Sequence, residues 1–129
     1  MSDKHKILVI DDDPEIVTFL TVLLEDNGYQ SVSAKNGVEG LEQVKAERPD
    51  LILLDITMPE KTGVRFYRDI RESEEFSSIP VVMVTGVMIE FKKFIHSRRQ
   101  VPPPDGYISK PVDRQELLDT VARLLNPDN

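Results

Sequence analysis

The stretch Leu51–Asp55 reads Leu-Ile-Leu-Leu-Asp, four consecutive aliphatic residues stopped by an acid. A strand exposed on one face alternates apolar and polar residues, and this run does not. It predicts a strand covered on both faces, as in a parallel sheet. The pattern recurs on either side. Lys6–Ile10 runs apolar into Asp11, Asp12 and Asp13, and Ile79–Val84 runs apolar into Thr85. Tyr29–Ala34 and Gly106–Ser109 complete five predicted strands, the last followed by Lys110.

Helical signals fill the intervals. Asp13 is a good N-cap for a helix over Pro14–Asn27, with Pro14 at the first position and Ile16, Leu20, Leu23 and Leu24 as its apolar stripe. Gly28 is the expected stop. Asn36 can cap a second helix, with Val38, Leu41 and Val44 inward and its end before Pro49. Further helices are predicted over Gly63–Ser73 and Val87–Arg99, and from a cap at Asp113 through Leu117, Val121 and Leu125. Five strands and five helices in alternation indicate an open parallel α/β sheet wound on both faces. One domain over residues 4–126 accounts for the chain of 129 residues.

Composition narrows the function. The chain lacks cysteine, which excludes thiol catalysis, disulfides and thiolate metal sites. No apolar run approaches a membrane span, and Met1–Lys6 does not lead into a secretory signal, so a cytoplasmic location is expected. A net charge of −7 argues against direct nucleic-acid binding. The charge is uneven: Lys92, Lys93, Arg98 and Arg99 form a basic segment with no acid between Phe91 and Val101. That segment reads either as a solvated helix face or as a contact for an acidic partner. Pro102, Pro103 and Pro104 follow it, stiff and without backbone donors.

In an open parallel sheet, ligands bind beyond the carboxyl ends of the strands. Asp11, Asp12, Asp55, Thr85 and Lys110 all belong there. Carboxylates gathered at one rim repel unless a cation intervenes, and Mg2+ suits oxygen ligands in a site with room for phosphate. Lys110 and the Thr85 hydroxyl could hold phosphoryl oxygens, and Asp55 could act as nucleophile, forming an acyl phosphate.

The runs ILVIDDDPE, LILLDITMPEKTG, PVVMVTG and DGYISKP, in this order and spacing, resemble the receiver domain of bacterial two-component response regulators. The resemblance covers Lys4 to Leu125. It implies a flavodoxin-like sheet of strand order 2-1-3-4-5. It implies Asp55 as phosphoacceptor, Asp12 as a direct Mg2+ ligand, Asp11 acting on the metal through water, and the Thr57 carbonyl as a further ligand. Thr85 and Lys110 would bind the phosphoryl oxygens, Thr85 and Tyr107 would form the switch, and the Lys110–Pro111 bond would be cis. The implied phosphodonor is a sensor histidine kinase, a histidine phosphotransfer protein or a small phosphodonor. The output would be a change in the face formed by the fourth helix, fifth strand and fifth helix, read by a downstream protein, with the Lys92–Arg99 segment as a candidate contact. An amide or acid side chain at position 57, or a polar one at position 87, could assist an attacking water. Thr57 and Val87 offer little such help, so a comparatively long-lived acyl phosphate is expected.

Two alternatives stay open on sequence. One is a Mg2+-dependent phosphatase of the haloacid dehalogenase type with Asp11 as nucleophile, since Asp11-x-Asp13 matches its Asp-x-Asp pattern. The other is an interaction module of the same fold that works without phosphorylation. Both a monomer and a homodimer are compatible with the sequence. The preferred reading is a regulatory phosphoacceptor with self-catalysed chemistry, not a metabolic enzyme.

Overall fold

The computed structural model describes residues 4–55, 62–86 and 103–126. The elements are β1 (Lys6–Ile10), α1 (Pro14–Asp26), β2 (Gln30–Ala34), α2 (Gly37–Glu47), β3 (Leu51–Leu54), α3 (Thr62–Glu72), β4 (Val81–Thr85), β5 (Gly106–Ser109) and α4 (Arg114–Leu125). The strands form one sheet in the order β2-β1-β3-β4-β5, every pair parallel. The expected α/β architecture and strand order are therefore present. The helix expected over Val87–Arg99 lies outside the described residues, as do Thr57, the basic segment and Pro102.

The unalternating run in β3 has the cause inferred for it. Leu51 and Leu53 join one core with Ile7, Val9, Val82 and Val84, under α1 and α4. Ile52 and Leu54 join the opposite core with Leu8, Ile10, Val81 and Met83, under α2 and α3. All four residues of β3 are within 1% of full burial, each contributing about 1.5–3 kcal/mol of transfer free energy.

The helix caps follow the sequence. The side chains of Asp13, Asn36 and Asp113 accept from the backbone N–H of Glu15, Glu39 and Glu116. The Glu39 carboxylate also accepts from Lys35 N, the residue before the cap, and so ties the approach to the helix to its first turn. At the end of α1, Gly28 takes φ of 92°, its N–H donating to Glu25 O and the next N–H, of Tyr29, to Leu24 O. This cap consumes the Tyr29 donor, so β2 starts at Gln30 and not at Tyr29. β4 likewise starts two residues later than expected. Pro80 has no donor, and the Ile79 carbonyl accepts from Arg71.

Val38 corrects the sequence reading more sharply. The apolar spacing predicts it inward, and it is 67% exposed. The inward face of α2 runs through Gly37, Gly40 and Val44, with Leu41 partly buried. A Cβ on Gly40 would lie 2.6 Å from Ile10 Cδ1 and 3.2 Å from the Phe66 ring, so the helix packs directly on its backbone there. A reading that counts apolar side chains passes over such a face.

Arg71 ties the amino-terminal edge of the sheet together. Its guanidinium donates to the carbonyls of Ser77 (3.0 Å) and Ile79 (2.9 Å), and to the Asp105 carboxylate (2.7 Å). It lies 5.0 Å over the Tyr67 ring and donates to that hydroxyl at 3.2 Å. Asp105 also accepts from Val81 N at 2.9 Å. One side chain, only 6% exposed, thus joins α3, the approach to β4 and the approach to β5. Arg71→Met is expected to cost about 2–3 kcal/mol, less than a fully buried pair because Asp105 is 40% exposed. That corresponds to a fall of about 10 °C in melting temperature. Asp105→Asn, which keeps an acceptor for Val81, should cost less. Thermal melts check this, and an unchanged Arg71→Met melt would show that solvent replaces the network.

Candidate functional site

The strand ends meet at the carboxyl edge of the sheet, and the backbone fixes them there. Asp11 N donates to Ala34 O at 3.1 Å, Asp55 N to Ile10 O at 3.0 Å, and Lys110 N to Thr85 O at 3.0 Å. Each of these residues is thereby the last rung of a ladder with its neighbouring strand. Thr85 stands beside Ser109 in the β4–β5 register.

Side-chain geometry follows from that placement. Asp11 and Asp55 are each 2% exposed and Thr85 1%. Carboxylate oxygens of Asp11, Asp12 and Asp55 lie within 4.8 Å of one another. Lys110 Nζ donates to Asp11 Oδ2 at 2.9 Å and to Asp55 Oδ2 at 3.4 Å. The other Asp11 oxygen accepts from Asp13 N at 3.0 Å. Among the described residues, Lys110 bonds two of these three clustered carboxylates, and a divalent cation fits the all-oxygen donor set. A cleft of about 380 Å3 opens beside Asp11 and Asp12, walled by Pro14, Thr18, Ser33 and Lys35.

Burial raises the pKa of Asp11 and the Asp55 charge adds to the rise, against the lowering effect of the Asp13 N–H and Lys110. Burial acts to lower the pKa of Lys110, but its hydrogen bond to Asp11 and the charges of Asp55 and Asp11 outweigh burial and raise it. The ammonium is thus secured by its acidic partners, while burial disfavours the charged form of Asp11.

Asp11, Asp12, Asp55, Thr85 and Lys110, singled out in the sequence, come together. Asp13 does not join them; its carboxylate caps α1. Tyr107 is 39% exposed on β5, its pKa raised by partial burial and by the charge of Asp105. The Lys110–Pro111 bond is cis. The Arg71–Asp105 pair carried no signal in the sequence, because 34 residues separate its members. The cap at Asn36 did carry one, an Asn at the start of an apolar helical stripe.

Residues 7–122 match the family model described as response regulator receiver domain. The chain belongs to the response regulator receiver domain family. It is 38% identical over 120 residues to Protein PilH of Pseudomonas aeruginosa, covering 93% of this chain and 97% of that protein. It is also 38% identical over 120 residues to the CAI-1 autoinducer sensor kinase/phosphatase CqsS of Vibrio cholerae, covering 92% of this chain but only 17% of that one. Similar domains thus occur both as nearly whole proteins and within long ones. Among solved structures, Vibrio cholerae chemotaxis protein CheY4 superposes with a TM-score of 0.83 at 29% identity, over 95% of this chain and 99% of that chain. Receiver domains are regulatory phosphoacceptors, typically with Mg2+ at an acidic cluster, and this receiver domain has such a cluster. No helix among the described residues is long and apolar enough to cross a membrane.

A carboxyl whose folded pKa lies above its unfolded value favours folding at low pH, and that contribution is lost as pH rises through the folded value. Above the ordinary value of 3.8, ionised Asp11 therefore opposes folding of the metal-free domain. Asp11→Asn is expected to raise the metal-free melting temperature by a few degrees at neutral pH. Below pH 3, where both forms are neutral, the difference should vanish. Melts in a chelator at the two pH values check this, and a lower neutral-pH melting temperature for the variant would contradict it.

Proposed function

We propose that residues 4–126 form a phosphorylation-dependent signalling switch whose phosphoacceptor is Asp55. The observation that carries this is the placement of the Asp55 carboxylate, buried at the strand ends between a lysine ammonium and two further acids. Asp11, Asp12, Asp55 and the Thr57 carbonyl would hold Mg2+. The ion would supply neutralisation of the charge that gathers on the phosphoryl oxygens. An Asp55 oxygen attacks phosphorus in line, and the bond to the departing imidazole of a phosphohistidine, or to a small leaving group, breaks. Lys110 turns from Asp11 and Asp55 to a phosphoryl oxygen, and the Thr85 hydroxyl takes another. Water later attacks the acyl phosphate and returns the carboxylate. The domain promotes both steps on itself by positioning and charge; it turns over no metabolite.

Thr85 and Tyr107 carry the signal outward. Tyr107 stands half exposed on β5, two residues from the Thr85–Ser109 rung. Loss of the Lys110 contacts and recruitment of Thr85 alter this edge of the sheet, the neighbouring α4 and the adjoining segment 87–102. The change is a local charge event acting on a two-state surface. The donor is a sensor histidine kinase or histidine phosphotransfer protein, a reading supported by receiver-like sequence within CqsS, named a sensor kinase/phosphatase, and within a hybrid signal transduction histidine kinase of Dictyostelium discoideum. The downstream partner is a protein, with the Lys92–Arg99 segment as its candidate contact, and the setting is the cytoplasm.

Incubation with Mg2+ and a small acyl phosphate is expected to add one phosphoryl group on Asp55, mapped by mass spectrometry, and Asp55→Asn should take up none. A label on Asp11 would establish the phosphatase alternative, and no label from either a small donor or a phosphorylated kinase would leave the phosphorylation-independent module. Mg2+ should also raise the melting temperature. At about 100 times Kd the linkage amounts to about 2.7 kcal/mol. Asp12→Ala should remove most of that rise; a rise of equal size in the variant would place the ion elsewhere.

A further inference from the structure

Helices α2 and α3 leave a groove between them with a cavity volume of about 580 Å3. Leu41 and Phe66 line it, and Val38 stands at its edge as the most exposed large apolar side chain among the described residues. Val38, Leu41, Glu42 and Lys45 follow at i, i+3, i+4 and i+7, forming one stripe along α2. Arg65 and Asp69 follow at i, i+4 on α3 and share a face. The groove therefore carries two acids and two bases and is neutral, on a chain whose net charge is −7. Among the described residues, none of these four charged groups takes part in an ion pair or side-chain hydrogen bond.

The arrangement selects its partner. A surface of one sign would meet as many like charges here as opposite ones, which disfavours nucleic acid, a charged membrane or a basic peptide. A second copy turned through a two-fold axis across the helices meets only opposite charges. Antiparallel α3 on α3 brings Arg65 to Asp69 of the second copy and Asp69 to its Arg65. Antiparallel α2 on α2 does the same for Glu42 and Lys45. Self-complementarity of this kind is what an isologous interface requires, and neutrality makes this face one where two acidic chains approach with little repulsion. We propose that the α2–α3 face is the interface of a weak homodimer, with α3 antiparallel to α3 and the exposed Val38 covered by the second copy. This does not depend on which carboxylate accepts phosphate.

Sedimentation equilibrium on the whole chain tests it, in phosphate-free buffer from micromolar to millimolar concentration. The wild type is expected to show a monomer–dimer equilibrium. Arg65→Asp and Asp69→Arg should each weaken it at least about tenfold, by setting like charges opposite each other. The double variant Arg65→Asp/Asp69→Arg, with unchanged net charge, should recover to within a few-fold of wild type. An equimolar mixture of the two single variants should associate more tightly than either alone. Val38→Asp should abolish dimers. A wild type that stays monomeric overturns the proposal. So does a dimer indifferent to these substitutions, which lies on another face, or a double variant no better than Arg65→Asp alone.

Discussion

The site depends on the parallel register of the sheet. Because every strand points the same way, each carboxyl end reaches the same rim, and the residue just past each end inherits a position there. The backbone bonds from Asp11 to Ala34, Asp55 to Ile10 and Lys110 to Thr85 set those positions before any side chain interacts. Side-chain chemistry then works within a frame that the main chain has already paid for in hydrogen bonds. A shift of one residue in any pairing would turn a functional side chain to the opposite face of the sheet.

The two edges of the sheet are built on different terms. At the amino-terminal edge, Arg71 meets one carboxylate, two carbonyls, a hydroxyl and a ring, so its charge and donors are matched. At the carboxyl edge, three carboxylates lie close together, Lys110 bonds two of them, Asp11 and Asp55, and burial lifts the pKa of Asp11. The matched edge holds β4 and β5 in place. The carboxyl edge is the one that carries the acidic cluster, and under the proposed function a cation and a phosphoryl group would bind there.

Much of this was legible in the residues. Aliphatic runs closing on acids, hydroxyl and lysine marked the strands and their functional ends, and Asp13, Asn36 and Asp113 marked helix starts through local bonds spanning two or three residues. Boundaries slipped where a tertiary or cap bond took a donor or acceptor, as at Tyr29 and Ile79. The inward face of α2 was misread at Val38 because Gly40 buries by backbone approach to Ile10 and Phe66, and apolar periodicity cannot register a missing side chain.

The sequence by itself determined the class of fold and the chemical inventory of the rim, because periodicity, capping and strand termination are local properties. Tertiary structure alone decided which members of that inventory meet. Lys110 grips Asp11 across 99 residues and Asp55 across 55, Asp13 turns away to cap its helix, and Arg71 finds Asp105 on another segment. Such pairings follow from the order in which strands lie side by side, a long-range outcome of burying both faces of β3 that no local stretch of chain encodes.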